Sequence, residues 1–570
     1  MSSEALTEKF DPSFLVWITV AVALLLLIVN PVYYLVQESF LISPEEGGGW
    51  TLQNFVTAFT TPEHLRPIYW TLIVSVLVGF LSLAVGAILA WCVSRTDIPY
   101  PGLIRNSVLI SFVIPPFLGA IAWIFLAGPR MGWLNIIYRG IFRLGPDSSL
   151  FDIFTVSGLV FSMTIFTFPL VFIVVLAGLN NISSDVEDAA NIAGGGTFST
   201  MLNITLPLVL PALCAGLILA LLEAMILFGI PNVLAIPAGI ELMTTQLRSF
   251  MVAEDDMLGI ASAYSLPMLA TAFFLVYIRR HVLGRRGYAT IGGKGGQRRP
   301  QVLGVWRIPV FILCLFPIIC SVVLPGFMLV STSFLATIGD GLVISNLTLD
   351  NYRFIFENDA FIISFKNTVI LALISATIAT LIASVSSYIT QRRLVRGHKY
   401  ISFLATAPIG IPGIVLALGL FSAYTKAPFL LYGTLWILML AYVTKYMPLA
   451  FQTSNAGLMN IHFELEESGR ILGASRFRVF WDITIPLFKV SLIASWILIF
   501  MPCLRELSAS IMLWTTDTKV ISVVIMDFYE ESLLGAISAM AVVLLTLTLV
   551  AVFSGFRFVG RDFMMSREKN

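Results

Sequence analysis

Apolar residues are grouped along this chain into runs about as long as a membrane-spanning helix. Long apolar runs are separated by short polar stretches, in six runs on either side of a Gly- and Arg-rich centre. About 20 mostly apolar residues make a helix long enough to cross the hydrocarbon core of a bilayer. The pattern therefore predicts an all-α polytopic membrane protein of about twelve helices. The predicted spans are 14–36, 69–92, 107–127, 151–178, 207–234, 257–278, 305–332, 364–389, 401–424, 430–453, 488–513 and 534–556.

One polar stretch, between the fourth and fifth spans, occurs once in each half. Pro169 to Leu208 matches Pro448 to Leu487 at an offset of 279 positions without a gap. The match includes Phe172/Phe451, Ala177/Ala456, Gly178/Gly457, Leu179/Leu458, Asn181/Asn460, Glu187/Glu466, Gly194/Gly473, Ile204/Ile483 and Pro207/Pro486. The repeat predicts two homologous halves, residues 1–285 and 305–570, joined by a linker at 286–304.

The two halves differ in length before the repeated stretch. Thr71 matches Thr368 at an offset of 297, so the first half carries 18 more residues, near 128–149. This additional stretch is expected to be either an amphipathic segment on the outer face or a simple loop insertion.

Arg and Lys predict the orientation. With both termini in the cytoplasm, 23 of the 34 basic residues lie on the cytoplasmic side and 11 outside. Basic residues are concentrated in cytoplasmic loops of membrane proteins. We therefore expect both termini, the linker and both repeated stretches to face the cytoplasm.

Composition agrees with a membrane protein and excludes other classes. Hydrophobic residues make up 58% of the chain and charged residues 12%, about half the charged content of a soluble domain. A net charge of +1 gives no sign of nucleic-acid binding. The five Cys and four His are dispersed, so neither a metal site nor a catalytic site is predicted. The phosphate-binding pattern G-x-x-x-x-G-K-[ST] is absent from the sequence, so ATP hydrolysis by that route is not expected.

The repeated stretch contains a pattern that indicates how the protein works. It lies at residues 183–207 in the first half and 462–486 in the second. Acidic and small residues open a short helix, a glycine permits a sharp turn, and a proline stands where the next helix starts. The candidate coupling residues are Glu187, Asp188, Ala189, Ala190, Gly194 and Pro207 in the first copy, and Glu466, Glu467, Ser468, Gly469, Gly473, Arg476 and Pro486 in the second. The small residues are expected to let a partner protein approach closely.

This pattern resembles the EAA loop of the permeases of binding-protein-dependent ABC importers. Two copies in one chain resemble the fused ferric-iron type, which has relatives in thiamine, polyamine and phosphonate uptake. The resemblance implies the type I importer permease fold in a bacterial inner membrane. It implies two ATPase subunits, which bind ATP and Mg²⁺, and a periplasmic or lipid-anchored binding protein as partners, with no cofactor on this chain. It implies ferric iron as the solute, with a small organic solute as the alternative.

The two loops depart from the family pattern in different ways. The first has three consecutive glycines, from Gly194, and no basic residue between Asp185 and Pro207. The second has Ser468-Gly469 in place of two alanines, and it carries Arg470, Arg476 and Arg478. We expect the two loops to couple unequally to their ATPase subunits.

Ionisable and helix-breaking residues within spans are candidates for the translocation path. They are Glu223, Gly229 and Pro231 in span 5, and Arg505 and Glu506 beside Pro502 in span 11. Broken helices at corresponding positions of two repeats indicate a binding site near the membrane midplane. Alternatively, Arg505 and Glu506 satisfy other helices or lie at the outer interface.

Two further interpretations concern charged residues within spans. Lys445 is expected to extend its ammonium to the membrane interface, with contact to the substrate as the alternative. An ion-coupled secondary transporter could use Glu223 and Glu506, but it would not account for the repeated loops.

Overall fold

The computed structural model describes residues 13–42, 48–182, 186, 189, 192, 194, 196–253, 257–284 and 300–559. Within these ranges the chain is helical, and its β pairing is confined to three isolated bridges. Residues 286–299 of the predicted linker lie outside the described residues.

The helices range in length from four to 34 residues. The helices of the first half are α1 Ser13–Leu24, α2 Asn30–Glu38, α3 Gln53–Thr60, α4 Pro62–Arg95, α5 Pro101–Ile110, α6 Pro116–Ala127, α7 Trp133–Phe142, α8 Val156–Asn180, α9 Thr197–Thr200, α10 Leu206–Ile226, α11 Met243–Val252 and α12 Leu258–Gly284. Those of the second half are α13 Arg307–Ile318, α14 Leu324–Ser333, α15 Asp350–Glu357, α16 Asp359–Gln391, α17 His398–Thr406, α18 Gly413–Tyr424, α19 Leu435–Met459, α20 Phe463–Ile471, α21 Arg476–Val479, α22 Ile485–Leu504, α23 Ser510–Leu513, α24 Ile521–Glu530 and α25 Leu534–Val559.

Nine helices within the described ranges are long and apolar enough to cross a membrane, or ten with one bent pair. Three of the twelve predicted spans, spans 3, 9 and 10, are absent from these nine. Spans 3 and 9 are broken: α5 and α6 are separate helices, and the chain bends by 113° before α18. Span 10 is present as helix α19, of 25 residues, but it falls outside the nine.

The predicted ends of spans 5 and 11 are wrong. Helix α10 ends at Ile226 and α22 at Leu504, not at 234 and 513. After α10 the chain reaches Gly229 and Pro231, and a proline inside a helix removes a hydrogen bond and clashes with the preceding turn. Pro502 has the same effect in the last turn of α22.

The segments after these breaks are anchored identically in the two halves. The amide of Met243, the first residue of α11, donates to Thr71 Oγ1 at 2.8 Å. The amide of Ile521, the first residue of α24, donates to Thr368 Oγ1 at 2.9 Å. Each threonine thus satisfies one of the free N–H groups at a helix start, and the sequence repeat is also a structural repeat.

The described residues fall into two compact units that exchange segments between the halves. Unit 1 comprises Met1–Glu38, Ala360–Val524 and Thr546–Asn570, and unit 2 comprises Ser39–Asp359 and Ile525–Leu545. The first span of each half therefore packs with helices of the other half. The predicted boundaries 1–285 and 305–570 describe the sequence repeat and remain a prediction, because compactness divides the chain differently.

Specific hydrogen bonds hold the exchanged segments. In unit 1, Tyr424 Oη donates to the carbonyl of Leu26 at 3.0 Å, and Lys426 pairs with Glu38 at 3.0 Å. In unit 2, the indole of Trp123 donates to the carbonyl of Cys320 at 3.1 Å.

A matched glycine lets two helices pack closely in each half. A Cβ at Gly178 would lie 2.4 Å from Ala212 Cβ, and a Cβ at Gly457 would lie 2.4 Å from Ser491 Cβ. Ala212 and Ser491 are themselves 279 positions apart. Close contact of α8 with α10, and of α19 with α22, therefore positions the loop that each pair encloses.

The additional stretch of the first half forms an ordered helix, α7. Its buried Asn135 accepts from the amides of Leu150 and Phe151 at 2.9 and 3.0 Å. Ile141 and Phe142 are exposed. An amphipathic helix with an exposed apolar face is typical of membrane interfaces, so the helical alternative agrees with the structure.

Candidate functional sites: the repeated loops and the broken helix ends

The second repeated loop is a helix, a glycine turn and a second helix. Helix α20 has Glu464 and Glu466 in its first turn and Arg470 in its last, an order that complements the helix dipole. Gly473 follows with a φ of +89°, which L side chains rarely adopt. Helix α21 begins at Arg476, and Pro486 stands in the first turn of α22. The predicted turn and proline positions therefore match the structure of this loop.

Glu466 is the buried anchor of this loop. Its carboxylate pairs with Arg392 at 2.9 Å, and the two side chains are only 5% and 8% exposed. Tyr388 Oη and Thr484 Oγ1 each donate to the same carboxylate at 3.1 Å. The guanidinium of Arg392 also donates to the carbonyl of Ile461 at 3.1 Å. Glu466 therefore ties the loop to the end of α16 and to the base of α22.

Gly469 packs inside the loop. A Cβ at this position would lie 2.8 Å from Ile483 Cδ1 and 3.2 Å from Val479 Cγ2. The expectation that the small residues serve only a partner's approach is therefore incomplete, because at Gly469 the approaching side chains belong to this chain. Glu467 and Ser468 are exposed on the same helix.

We expect Gly469→Val to destabilise the second loop, because its added side chain would overlap neighbours that have little room to move. Coupled ATPase activity should fall several-fold, and limited proteolysis should cut the loop faster. Ser468→Val is the matched control, because it places the same side chain at the neighbouring exposed position. Equal rates of loop cleavage in the two variants would contradict the packing role of Gly469.

Large apolar side chains around the glycine turn form an exposed surface. Phe477 and Trp481 stack with ring centroids 6.3 Å apart and planes 11° from parallel. The members of this second-loop apolar surface are Ile471, Leu472, Phe477 and Trp481, with exposed fractions of 85%, 88%, 76% and 61%. Contiguous exposed apolar residues mark interaction sites, and aromatic residues are enriched at such interfaces.

The first repeated loop shares the glycine turn. Gly194 has a φ of +86°, close to that of Gly473. Pro207 lies in the first turn of α10, as Pro486 does in α22. Ala189 and Ile192 are exposed, while the predicted coupling residues Glu187, Asp188 and Ala190 lie outside the described residues.

The broken end of α10 contacts helix α24 within unit 2. Arg248 of α11 donates to Asn232 Oδ1 at 3.0 Å and to Glu530 at 2.9 Å. Tyr529 Oη donates to the carbonyl of Val233 at 3.0 Å, and burial raises the pKa of this hydroxyl to about 12. These bonds join the segment after the α10 break to a helix of the second half.

The three path candidates of the first half lie at or beside this break. Glu223 is partly buried in the last turn of α10, and its carbonyl accepts from Leu227 N at 2.9 Å. Gly229 and Pro231 are buried in the segment that follows.

The broken end of α22 is built around Glu506, in unit 1. The carboxylate is fully buried and pairs with Lys445 Nζ at 2.7 Å. It also accepts from the amides of Ala509 and Ser510 at 3.1 Å and from Ser510 Oγ at 2.9 Å. The expectation that Lys445 extends to the membrane interface is therefore wrong. Arg505 is partly exposed beside this pair.

Two basic residues of these sites have partners that the sequence pattern does not indicate. Arg392 contributes only to the predicted orientation of the chain in the membrane, and Lys445 is predicted to reach the membrane interface. Their partners are 74 and 61 positions away, beyond the reach of helical periodicity. The only sequence signals are the ionisable character of Lys445 within an apolar run and the place of Arg392 at the end of a span.

Comparison with protein families identifies the chain. The family described as the binding-protein-dependent transport system inner membrane component matches residues 82–287 and 395–561. Each match contains one repeated loop and one broken helix end. The chain belongs to this family. It is a multi-pass inner membrane permease with two fused domains, and the prediction of an ABC importer permease is confirmed.

Similar proteins of known class agree with this assignment. The permease is 25% identical to the ferric transport system permease protein FbpB of Actinobacillus pleuropneumoniae, over 86% of this chain and 70% of the relative. It is 24% identical to a putative ferric transport system permease FbpB 1 of Haemophilus influenzae, over 83% and 74% of the two chains. It is 26% identical to the spermidine/putrescine transport system permease protein PotC of Escherichia coli, over 37% of this chain and 79% of the relative.

Proposed function

We propose that this permease carries ferric iron, delivered by a binding protein, across the inner membrane. The observation that carries the proposal is the extent of the similarity. Relatives named as ferric transport permeases match more than four-fifths of the chain, through both halves. Relatives named for polyamine and trehalose transport match 37%.

The repeated loops support two ATPase subunits as partners, one for each loop. The second loop offers an apolar surface around Gly473, and a buried ion pair ties its helix to two membrane helices. A force applied to that surface would therefore be transmitted to α16 and α22. ATP and Mg²⁺ would be held by the partners, and this chain would bind no cofactor of its own.

The first loop would dock the second ATPase subunit with different chemistry. Its sequence is rich in glycine and lacks basic residues, whereas the second loop carries Arg470 and Arg478 on its exposed face. A negatively charged rim on the partner would contact the second loop more strongly. We therefore propose unequal coupling by the two loops.

Each half offers its own candidates for lining a translocation path: Glu223, Gly229 and Pro231 beside the break of α10, and Arg505 and Glu506 beside the break of α22. Half-helices that end within the membrane leave backbone groups and side chains available to a passing solute. The path needs only weak contacts, because selection would rest with the binding protein.

Uptake into proteoliposomes tests the proposed solute. The permease would be reconstituted with its ATPase subunits and its binding protein, and radioactive ferric iron would be followed into the lumen. We expect ATP-dependent accumulation that an excess of thiamine, spermidine or methylphosphonate does not reduce. Uptake of one of those solutes without uptake of iron would overturn the assignment of iron.

A further inference from the structure

A polar cavity, here called the outer cavity, lies in unit 2 between the first turns of α4, the turn before α11, and α11 itself. It has a volume of about 430 Å³. With both termini in the cytoplasm, α4 begins on the outside, and the segment between α10 and α11 lies on the same side. None of its lining residues is a candidate for ATPase coupling or for the translocation path. Its polar lining consists of Glu63, His64, Arg66, Glu241, Gln246 and Ser249.

Gln246 is a buried polar residue that lines the outer cavity without a partner. The residue is only 8% exposed, and its side-chain amide makes no hydrogen bond within the described part of the chain. Burial of an amide without a hydrogen-bond partner costs free energy. An unsatisfied amide that lines a cavity therefore indicates a place for a ligand group, to which it can offer its carbonyl oxygen.

His64 is held so that one ring nitrogen remains for a ligand. Its Nδ1 lies 3.1 Å from the carbonyl oxygen of Thr57. Because a carbonyl oxygen only accepts hydrogen bonds, Nδ1 carries the proton, and Nε2 of the neutral ring is an acceptor. The ring also packs edge-on against Phe250, with centroids 4.9 Å apart. The imidazole therefore adds a second acceptor, in a fixed orientation, to the lining of the outer cavity.

Acidic residues outnumber basic ones in the outer stretches that form this cavity. The acids of residues 39–68 and 235–257 are Glu45, Glu46, Glu63, Glu241, Glu254, Asp255 and Asp256, and the bases are Arg66 and Arg248. Arg248 already pairs with Glu530 at 2.9 Å. An excess of one charge on a surface attracts partners of the opposite charge. The outer cavity therefore favours a cationic group.

The second half of the chain forms the matching segments without this polar lining. The threonine anchors align α4 with α16 at an offset of 297 positions, and α11 with α24 at an offset of 278. At these offsets His64 and Gln246 correspond to Phe361 and Val524, which are 2% and 1% exposed. Buried apolar side chains therefore satisfy the fold at both positions, and the polar lining of the first half has another role.

The outer cavity suits an organic cation better than a metal ion. Within the described ranges, no three His, Cys, Asp or Glu side chains are close enough together to hold a metal. An ammonium or guanidinium group carries several N–H donors, which can reach separate acceptors. Such groups also form strong hydrogen bonds to carboxylates. The volume of the cavity is within the range of pockets that hold small ligands, so it can take the end of a long side chain.

We propose that the outer cavity is a docking pocket for a basic side chain, lysine or arginine, of the binding protein. Gln246 and His64 would accept hydrogen bonds from the cationic group, and Glu63 and Glu241 would supply the opposite charge. The family of this chain depends on a binding protein, and the cavity faces the side from which such a protein approaches. The inference rests on the proposed import function, and not on iron as the solute.

The first measurement tests the charge preference of the cavity in the full-length permease in lipid nanodiscs. Four of the five native cysteines are buried, and Cys214 is partly exposed. A Cys214→Ala chain with Ser249→Cys therefore carries one accessible thiol in the cavity, since Ser249 is exposed. Its reaction rates with the cationic ethyltrimethylammonium and the anionic ethylsulfonate methanethiosulfonates are each divided by the rate of a free thiol. The Cys214→Ala chain gives the background.

We expect the cationic reagent to be favoured roughly fivefold, because two carboxylates lie in the same cavity. Glu63→Gln/Glu241→Gln should abolish this preference. Asp350→Asn/Glu357→Gln is the matched control, because it removes the same charge from α15, on the same side of the membrane, and should leave the preference unchanged.

The second measurement is the affinity of solute-loaded binding protein for the complex of permease and ATPase subunits in nanodiscs. Gln246→Lys should weaken binding about tenfold, because it places a like charge where the partner's cation would enter. Gln246→Glu should bind at least as tightly as the unsubstituted permease. Neither change removes a side-chain hydrogen bond within the described part of the chain. Bound binding protein should also slow the reaction of the Ser249→Cys thiol.

Three results would overturn the docking pocket. They are equal affinities of the Gln246→Lys and Gln246→Glu permeases, a cavity thiol without preference for the cationic reagent, and a thiol protected by spermidine but not by the binding protein. The thiol measurement does not depend on the folding of the variants at 246. If iron uptake fails while the affinity follows the charge at residue 246, the assignment of iron falls and the docking pocket stands.

Discussion

Gly473→Asp is expected to abolish the stimulation of ATPase activity by loaded binding protein, while the permease remains folded. Gly473 has a φ of +89°, and a Cβ at this position would have no neighbouring atom within 4 Å. The substitution therefore acts through backbone strain and not through a clash, and such conformations cost about 1–2 kcal/mol for L residues. Relief of that strain would redirect the second-loop apolar surface. ATPase rates of the reconstituted complex, with size-exclusion profiles for folding, measure the effect.

Gly397→Asp is the matched control for this result. Gly397 also has open space around its Cα, but its φ is −82°, so aspartate fits there without strain. Gly194→Asp should give an intermediate loss, since the sequence continues with two more glycines that can absorb the change. Normal stimulation in the Gly473→Asp permease would contradict the coupling role of this turn.

Glu466→Ala is expected to give the largest loss of stability. It leaves the guanidinium of Arg392 buried without its carboxylate, and it leaves Tyr388 and Thr484 without their acceptor. Breaking a buried ion pair by removing one partner typically costs about 3–5 kcal/mol. We expect a lower unfolding temperature of the permease in detergent and loss of coupled ATPase activity.

Arg478→Ala controls for the removal of a charge from the same loop. Arg478 pairs with Asp482 at 3.3 Å, with side chains 76% and 56% exposed. Exposed ion pairs of this kind contribute under about 1 kcal/mol to stability. The unfolding temperature of the Arg478→Ala permease should therefore be close to that of the unsubstituted permease. An unfolding temperature for Glu466→Ala as high as that of Arg478→Ala would refute the anchoring role of Glu466.

The sequence pattern predicted the features of the permease that depend on interactions between residues close in sequence. Apolar run lengths located the long helices, and the repeat located both glycine turns, each with a positive φ. Helix ends were less predictable. Proline and glycine in spans 5 and 11 indicated interruptions, but where each helix stops depends on its hydrogen-bonding partners.

Long-range pairing lay beyond the sequence pattern. The exchange of first spans joins Leu26 to Tyr424, 398 positions apart, and nothing in either apolar run encodes that partner. Glu466 was expected to contact an ATPase subunit, and the structure buries it against Arg392. Whether a charge is exposed or paired depends on the tertiary fold, so residue type and spacing leave both outcomes open.

We propose that this permease moves its solute with energy from ATP hydrolysis on partner subunits. This energy source is tested by uptake of binding-protein-delivered solute into proteoliposomes, with ATP supplied to the ATPase subunits. We expect uptake with ATP, none with vanadate, and none when a proton or sodium gradient replaces ATP. Uptake driven by an ion gradient without ATP would contradict ATP-driven transport by this permease.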